Sequence, residues 1–184
     1  MIKPPTIPEL RTLRLVLRGL RESDAPGLHT AYGDPDAMRF WDAPPTRDIA
    51  ETIARIRQSI EVSPLWHAAF AALLHESGEF VGMVNYHARQ PTSRRLAVGW
   101  ILAPQWCRQG LAQEAALALI EHCFIGLDTH RIEARIEPDN TASLRLAHRL
   151  GFRQEGLLRD WLVVDGKPRD VLMYALLQPE WASA

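Results

Sequence analysis

Cysteine is scarce in this chain: Cys107 and Cys123 are its two, and they stand 16 positions apart. That spacing excludes a Cys-x-x-Cys centre and a disulfide framework, and free thiols fit a reducing compartment. The seven histidines form no His-x-x-x-His pair and none stands beside a cysteine at zinc-finger spacing, so no metal is expected. Charge of one sign is also missing. With 21 basic and 22 acidic side chains the net charge is -1, which offers nothing to a nucleic acid or an anionic lipid surface. No apolar run could span a bilayer or serve as a secretory signal, so no membrane partner and a cytoplasmic protein are expected. Neither Gly-x-x-x-x-Gly-Lys-Ser/Thr nor Gly-x-Gly-x-x-Gly occurs, which removes the usual nucleoside triphosphate and dinucleotide sites.

What is present is enough apolar sequence, 47% of 184 residues, for one continuous core. Repeats and linkers are absent, so the expectation is a single domain over residues 1–184, with residues 1–10 as an extended segment bearing Pro4, Pro5 and Pro8. Alternation over Thr12 to Arg18 predicts a first strand. Ser23 or Asp24 can cap a helix to Tyr32, and Thr46 or Asp48 can cap another in which Ile49, Ile53, Ile56 and Ile60 recur at helical spacing. Trp66 to Leu74 and Phe80 to His87 flank a polar, Gly-containing connector and predict an antiparallel pair. Leu96 to Leu102 is a buried-type strand, and its Gly99 predicts a bulge or a close approach of backbone. A central helix runs from Leu111 to Phe124, and a fifth strand covers Arg131 to Ile136. Asn140 caps a helix that stops at Gly151, and an Asp165-Gly166 turn joins two last strands. The fold class is α/β (α+β): a twisted mixed sheet of about seven strands flanked by about four helices.

Strand Leu96–Leu102 feeds the loop Gln105-Trp106-Cys107-Arg108-Gln109-Gly110, and Leu111-Ala112 then opens a helix. A strand entering a glycine loop at a helix N-terminus aims unpaired N–H groups and the positive end of the helix dipole at one spot, which suits a pyrophosphate. Gly110 lets backbone approach phosphate oxygens, Ala112 keeps the first turn narrow, and Arg108 can add a charge-assisted bond. A plain strand-to-helix turn is the simpler alternative for Gly110. The helix N-terminus is also an environment that lowers the pKa of Cys107.

These residues resemble the GNAT superfamily pattern Gln/Arg-x-x-Gly-x-Gly/Ala, which binds the coenzyme A pyrophosphate; Gly110 and Ala112 match, while Cys107 replaces the Gln/Arg. A second block, Asn140-Thr141-Ala142-Ser143 through Gly151-Phe152-Arg153-Gln154-Glu155-Gly156, is similar to the Asn-x-x-Ser helix and Gly-Phe-x-x-Glu-Gly segment of the Rim-type branch. Members of that branch acetylate N-terminal amines of ribosomal proteins or related small amines. The resemblance spans Leu13 to Leu177. It implies a sheet splayed between the fourth and fifth strands, with backbone near Ile101 and Leu102 bonding the pantetheine arm and Asn140 across the gap; the set Ile101, Leu102, Arg108, Gln109, Gly110, Leu111, Ala112 and Asn140 would hold acetyl-CoA.

Acetyl transfer from a thioester needs an unprotonated amine, donors for an oxyanion and a proton for the thiolate. Backbone N–H groups around Ile101 and Leu102 can serve the oxyanion. Ser143 is the candidate proton donor, with a backbone-bonded first-turn serine as its alternative. Glu155 matches the family carboxylate that would accept the amine's proton; it reads equally as an anchor for the neighbouring loop. Tyr86 and His87, at the end of the third strand, are further candidates for assisting that deprotonation, Tyr86 also for binding the acceptor, and each reads equally as an ordinary packed residue. Trp41, in Arg39-Phe40-Trp41-Asp42-Ala43-Pro44-Pro45, can form a wall of the acceptor site or a staple of the core. The expected function is therefore direct acetyl transfer from acetyl-CoA to a primary amine on a protein N-terminus or small molecule. A silent acyl-CoA-binding module of the same fold is the alternative. Exposed edge strands leave a homodimer open.

Overall fold

The computed structural model describes residues 7–181; residues 1–6 of the N-terminal segment lie outside the described residues. Eight strands form one sheet, ordered β1-β2-β3-β4-β5-β6-β8-β7. They are β1 (Leu10–Arg11), β2 (Leu15–Gly19), β3 (Ala68–Leu74), β4 (Phe80–Gln90), β5 (Arg95–Leu102), β6 (Arg131–Ile136), β7 (Arg153–Val164) and β8 (Lys167–Leu177). The helices are α1 (Ala25–Tyr32), α2 (Pro35–Met38), α3 (Ile49–Glu61), α4 (Leu111–Glu121), α5 (Thr141–Arg149) and α6 (Gln178–Trp181). The counts exceed the expected seven and four because β1 has two residues and α2 and α6 are single turns, too short to leave a periodic signal.

Strand alternation sorts side chains onto two faces. On one face Leu15, Leu17, Phe70, Val84, Tyr86, Leu96, Val98 and Ile132 pack against α4 and α5 through Leu111, Ala115, Leu119, Ala147 and Leu150. Each fully buried leucine or isoleucine here contributes about 1.5–3 kcal/mol. On the other face Ala69, Ala71, Met83 and Ile101 pack under α1 and α3 through Leu28, Ala31 and Ile56. The isoleucine stripe of α3 is set differently from the expected one: Thr52 and Ile56 are buried, while Ile49 and Ile60 are exposed. Thr52 turns inward because its hydroxyl joins Thr46 and His29 Nδ1 at 2.8 and 2.9 Å. Asp48 caps α3 through Glu51 N–H, as its position before the helix predicts.

The sheet is antiparallel except where β5 meets β6. These two strands run parallel and pair at Arg95↔Arg131, Leu96↔Ile132 and Ala97↔Glu133 only. Beyond Ala97, β5 remains paired with β4 as far as Gly82↔Leu102, and β6 with β8 as far as Ile136↔Leu172. The strands therefore part from Val98 and Ala134 onward, and a wedge opens toward their C-terminal ends. Asn85 faces Gly99 in regular register, so Gly99 marks no bulge. Its backbone approaches a neighbour instead: a Cβ there would stand 3.0 Å from Asn85 Oδ1. Asp165 and Gly166, at φ of 49° and 72°, close the β7–β8 hairpin at its expected turn.

Candidate active site

The loop that leaves β5 reaches α4 through two left-handed residues, Arg108 at φ 62° and Gly110 at φ 78°. Gly110 is the N-cap of α4 and offers no side-chain cap. The first-turn N–H groups of α4 have no intrahelical acceptors, so they stay available to a ligand. The loop is braced from outside. Arg14 donates from Nη1 to Gln109 O at 3.0 Å and from Nε to Glu114 Oε2 at 2.7 Å; the Thr12 hydroxyl donates to Glu114 Oε1 at 2.6 Å. Burial alone would raise the Glu114 carboxyl, but the bonds from Thr12 and Arg14 outweigh it and hold the pKa below the usual carboxylate range.

Not every member of the expected coenzyme set offers a side chain. Gln109 folds back so that Nε2 donates to Gln105 O at 3.0 Å, and Leu111 is buried in the core; both present backbone alone. Ile101 packs under α1 and α3 and Leu102 lies against the α4 core, so their contribution to the wedge is the unpaired backbone of β5. Cys107 departs from expectation. Its Sγ points to Ala103 O at 3.8 Å, and partial burial pushes the thiol pKa up, against the smaller effect of Arg108. Trp106 Nε1 is buried without a partner among the described residues, an unspent donor in the same loop.

Across the wedge, Asn140 accepts from Ser143 N–H at 3.1 Å and so caps α5. Trp100, which the sequence reading passed over, reaches from β5 to donate Nε1–H to Ser143 Oγ at 3.2 Å. Because the indole can only donate, the serine oxygen accepts, and its own hydroxyl proton remains free to be given. Period two from Val98 puts Trp100 on the α4 face; that periodicity, with the aromatic at a strand end, is the signal that could have found it.

Two expected residues do not join this group. Tyr86 is 1% exposed on the α4 face and donates its hydroxyl to Pro64 O at 2.6 Å, so it packs the core instead of meeting an acceptor; burial pushes its pKa up to about 12. Glu155 occupies a β7 irregularity beside Gln154 and Gly156 and grips Arg131, at the closed end of the wedge, through bonds of 2.8 and 2.6 Å. The Arg131 guanidinium holds that carboxyl below its ordinary value. Of its two sequence readings, the geometry favours the anchor. Trp41 packs against the α1–α3 cluster, 6.1 Å from the Tyr32 ring centre. The adjoining Arg39 carbonyl accepts from Arg169 Nη1 at 2.8 Å, which fastens this loop to β8.

An unpaired strand edge, the bare helix N-terminus that its loop leads to and a capped helix start across the gap accord with what the comparisons with known proteins show. The acetyltransferase (GNAT) domain family matches residues 14–153. The chain belongs to this family. It is 33% identical over 174 residues to the p20 N-acetyltransferase of Bacillus licheniformis, itself uncharacterized, covering 94% of this chain and 98% of that protein. It is 30% identical over 185 residues to the ribosomal protein uS5-alanine N-acetyltransferase of Escherichia coli, covering 95% and 94%. Among solved structures, an α-N-acetyltransferase of ribosomal protein L7/L12 in complex with coenzyme A superposes with a TM-score of 0.82 at 24% identity, covering 92% of this chain and 98% of that one. Spermidine N-acetyltransferase from Vibrio cholerae, with coenzyme A and spermine, gives 0.80 at 21%, covering 93% and 99%. The GNAT acetyltransferase fold of this chain is thus established. No described helix is long and apolar enough to cross a membrane.

Proposed function

We propose that this chain transfers an acetyl group from acetyl-CoA to a primary amine. The observation that carries the reading is the wedge between β5 and β6, whose β5 edge is unpaired toward β6 from Val98 and leads through its loop to the N-terminus of α4, which has no side-chain cap. The residues present fit the coenzyme. The N–H groups from Arg108 to Ala112 and the Arg108 guanidinium would take the pyrophosphate, the free β5 edge at Ile101 and Leu102 would pair with the amide-bearing pantetheine arm, and Asn140 would border it. Bound acetyl-CoA supplies an activated acetyl thioester. Deeper in the wedge, where β5 parts from β6 at Val98, unpaired backbone N–H groups of β5 would donate to the acetyl carbonyl. Ser143, whose oxygen is engaged by Trp100, would give its hydroxyl proton to the departing sulfur. Trp41 forms part of the acceptor wall.

A protein N-terminus is the acceptor class favoured by the 30% identity to the uS5-alanine enzyme over nearly the full length of both chains. The deciding experiment is isothermal titration of acetyl-CoA into the parent protein, into Gly110→Ala, which adds strain at positive φ and a Cβ 3.4 Å from Arg14 Nη2, on the braced outer side of the loop, and into Gly110→Glu, which adds bulk and negative charge as well. Saturable binding by the parent, little weakened by alanine and abolished by glutamate, establishes the cradle. Absence of binding by the folded parent overturns the reading.

A further inference from the structure

On the face opposite α4, β5 shows only small residues where the wedge begins. Ala97 and Gly99 lie between His87 and Asn85 of β4, their register partners, and Glu133 of β6, which pairs with Ala97. Arg135, two residues beyond Glu133, shares its face by strand alternation. Asn85, His87, Ala97, Gly99, Glu133 and Arg135 therefore share one face at the start of the wedge, where Ala97 is buried and the half-buried His87 ring borders the opening between β5 and β6. Asn85 is 8% exposed and fills the space a Cβ on Gly99 would need. Glu133 is enclosed by Arg95, Arg131 and Arg135 at 3.6, 2.9 and 3.5 Å, and the Arg135 guanidinium lies 5.1 Å from the centre of the Trp161 ring.

His87 Nδ1 lies 3.2 Å from Asn85 Oδ1. A carbonyl oxygen only accepts, so Nδ1 carries the proton and Nε2 presents a lone pair. Among the described residues Nε2 has no hydrogen-bond partner. The charged and titratable groups facing this ring are Arg135 from β6, Glu133 beside it and His67 from the segment before β3, the last held by Ser59 Oγ at 2.7 Å. Burial first, then Arg135 and His67, push the His87 pKa down to about 4.

From this geometry we propose that His87 is a substrate-contacting residue of the acetyl transfer: its Nε2 accepts an N–H of the attacking amine, Asn85 fixes the ring tautomer, and Arg135 excludes the ammonium form. The inference rests on the function proposed above and names the form of the acceptor, an uncharged amine. A ring neutral at pH 7 does not store the reaction's proton. The amine lone pair forms the C–N bond, the C–S pair departs on the thiolate, and the proton released from nitrogen balances the one the thiolate takes up. His87 aims the lone pair and rejects the cation.

The test compares His87→Gln, which keeps an acceptor that cannot titrate, with His87→Leu, using a tetrapeptide with free N-terminal alanine and spermidine as two amines of different pKa. His87→Gln is expected to lose less than tenfold in kcat/KM for the amine and His87→Leu ten- to hundredfold, with acetyl-CoA affinity unchanged in both. The acid limb of kcat/KM should move with the pKa of the amine used. Equal loss in both variants, or a limb fixed near pH 6–7 for both amines, overturns the proposal. Long-range 1H–15N spectra of the parent protein test it without turnover. A neutral ring protonated at Nδ1 from pH 5.5 to 8 is expected, and a charged ring at pH 7 or a proton on Nε2 refutes it. Failure of acetyl-CoA to bind would sink the proposed function, while these spectra would still decide the state of His87.

Discussion

Arg108 adopts φ 62°, a conformation that costs a residue bearing a Cβ about 1 kcal/mol or more. A glycine would fit it freely, so the arginine side chain has a reason to be there, and a guanidinium beside a pyrophosphate cradle supplies one. Arg108→Gly is accordingly expected to stabilise the protein by about 0.5–1 kcal/mol net of the added unfolded-state entropy, seen as a rise in Tm of about 1–4 °C. The same change should weaken acetyl-CoA several-fold in titration and flatten the salt dependence of binding. A variant neither more stable nor weaker in binding would separate Arg108 from the coenzyme. Single residues were the least legible scale in the sequence. Gly110 and Asn140 could be placed because turn and cap chemistry is local. Tyr86 and His87 are neighbours on one strand, and only the pairing of β4 with β5 shows that alternation sends the first into the core and the second to the opposite face.

Between elements, two carboxylates do work that spacing alone does not reveal. Glu114 binds the first turn of α4 to the turn before β2, with Thr12 and Arg14 a hundred residues away in sequence. Its side chain is 17% exposed and it accepts charge-assisted bonds, so Glu114→Gln should cost about 1–2 kcal/mol and loosen acetyl-CoA by displacing the Gln109–Gly110 backbone. The folded pKa lies below the unfolded one, so this stabilisation is complete above about pH 4.3 and fades as pH falls through the folded value. Parent and Glu114→Gln stabilities, measured by denaturant titration, should therefore differ most above pH 5 and converge toward pH 3. Glu155 shows the opposite weakness of a motif. Its place in Gly-Phe-x-x-Glu-Gly suggested chemistry, yet its carboxylate closes on Arg131 away from the open end of the wedge. Glu155→Gln should keep kcat within about twofold and leave its pH profile unmoved, since a half-exposed ion pair contributes about 0–1 kcal/mol to the fold alone. A kcat loss of a hundredfold or more would return Glu155 to the proton path. Long elements were readable because period and caps repeat over many residues, as in α4 and the β7–β8 hairpin. Short ones such as β1 and α2 were not, because two to four residues carry no period.

Taken whole, the molecule is two sheet segments, β1–β5 and β6–β8, joined across the sheet by three residue pairs. Turn residues foretold the β3–β4 and β7–β8 hairpins, but chain order does not place β8 between β6 and β7, and the extent of the splay depends on how far the β5–β6 pairing runs, which sequence periodicity does not encode. The α4 core crosses the boundary: Leu96 and Val98 on one side and Ile132 and Tyr174 on the other pack beneath Leu111, Ala115 and Leu119. One face thus holds the halves together while the open ends of β5 and β6 stay apart. A ligand that pairs with the β5 edge and touches the start of α5 would bridge them, and it binds only the folded chain. At a concentration one hundred times its Kd, acetyl-CoA should then add about 2.7 kcal/mol of stability, a rise in Tm of about 5–10 °C for a chain of this size. Hydrogen exchange should slow at the amides of residues 98–102 and 108–112, with little change in β2 and β3. Desulfo-coenzyme A, which keeps the pyrophosphate and the pantetheine amides, should protect the same two segments. Protection confined to 108–112 would show that the anion cradle acts without the strand edge, and the bridging role of β5 would have to be given up.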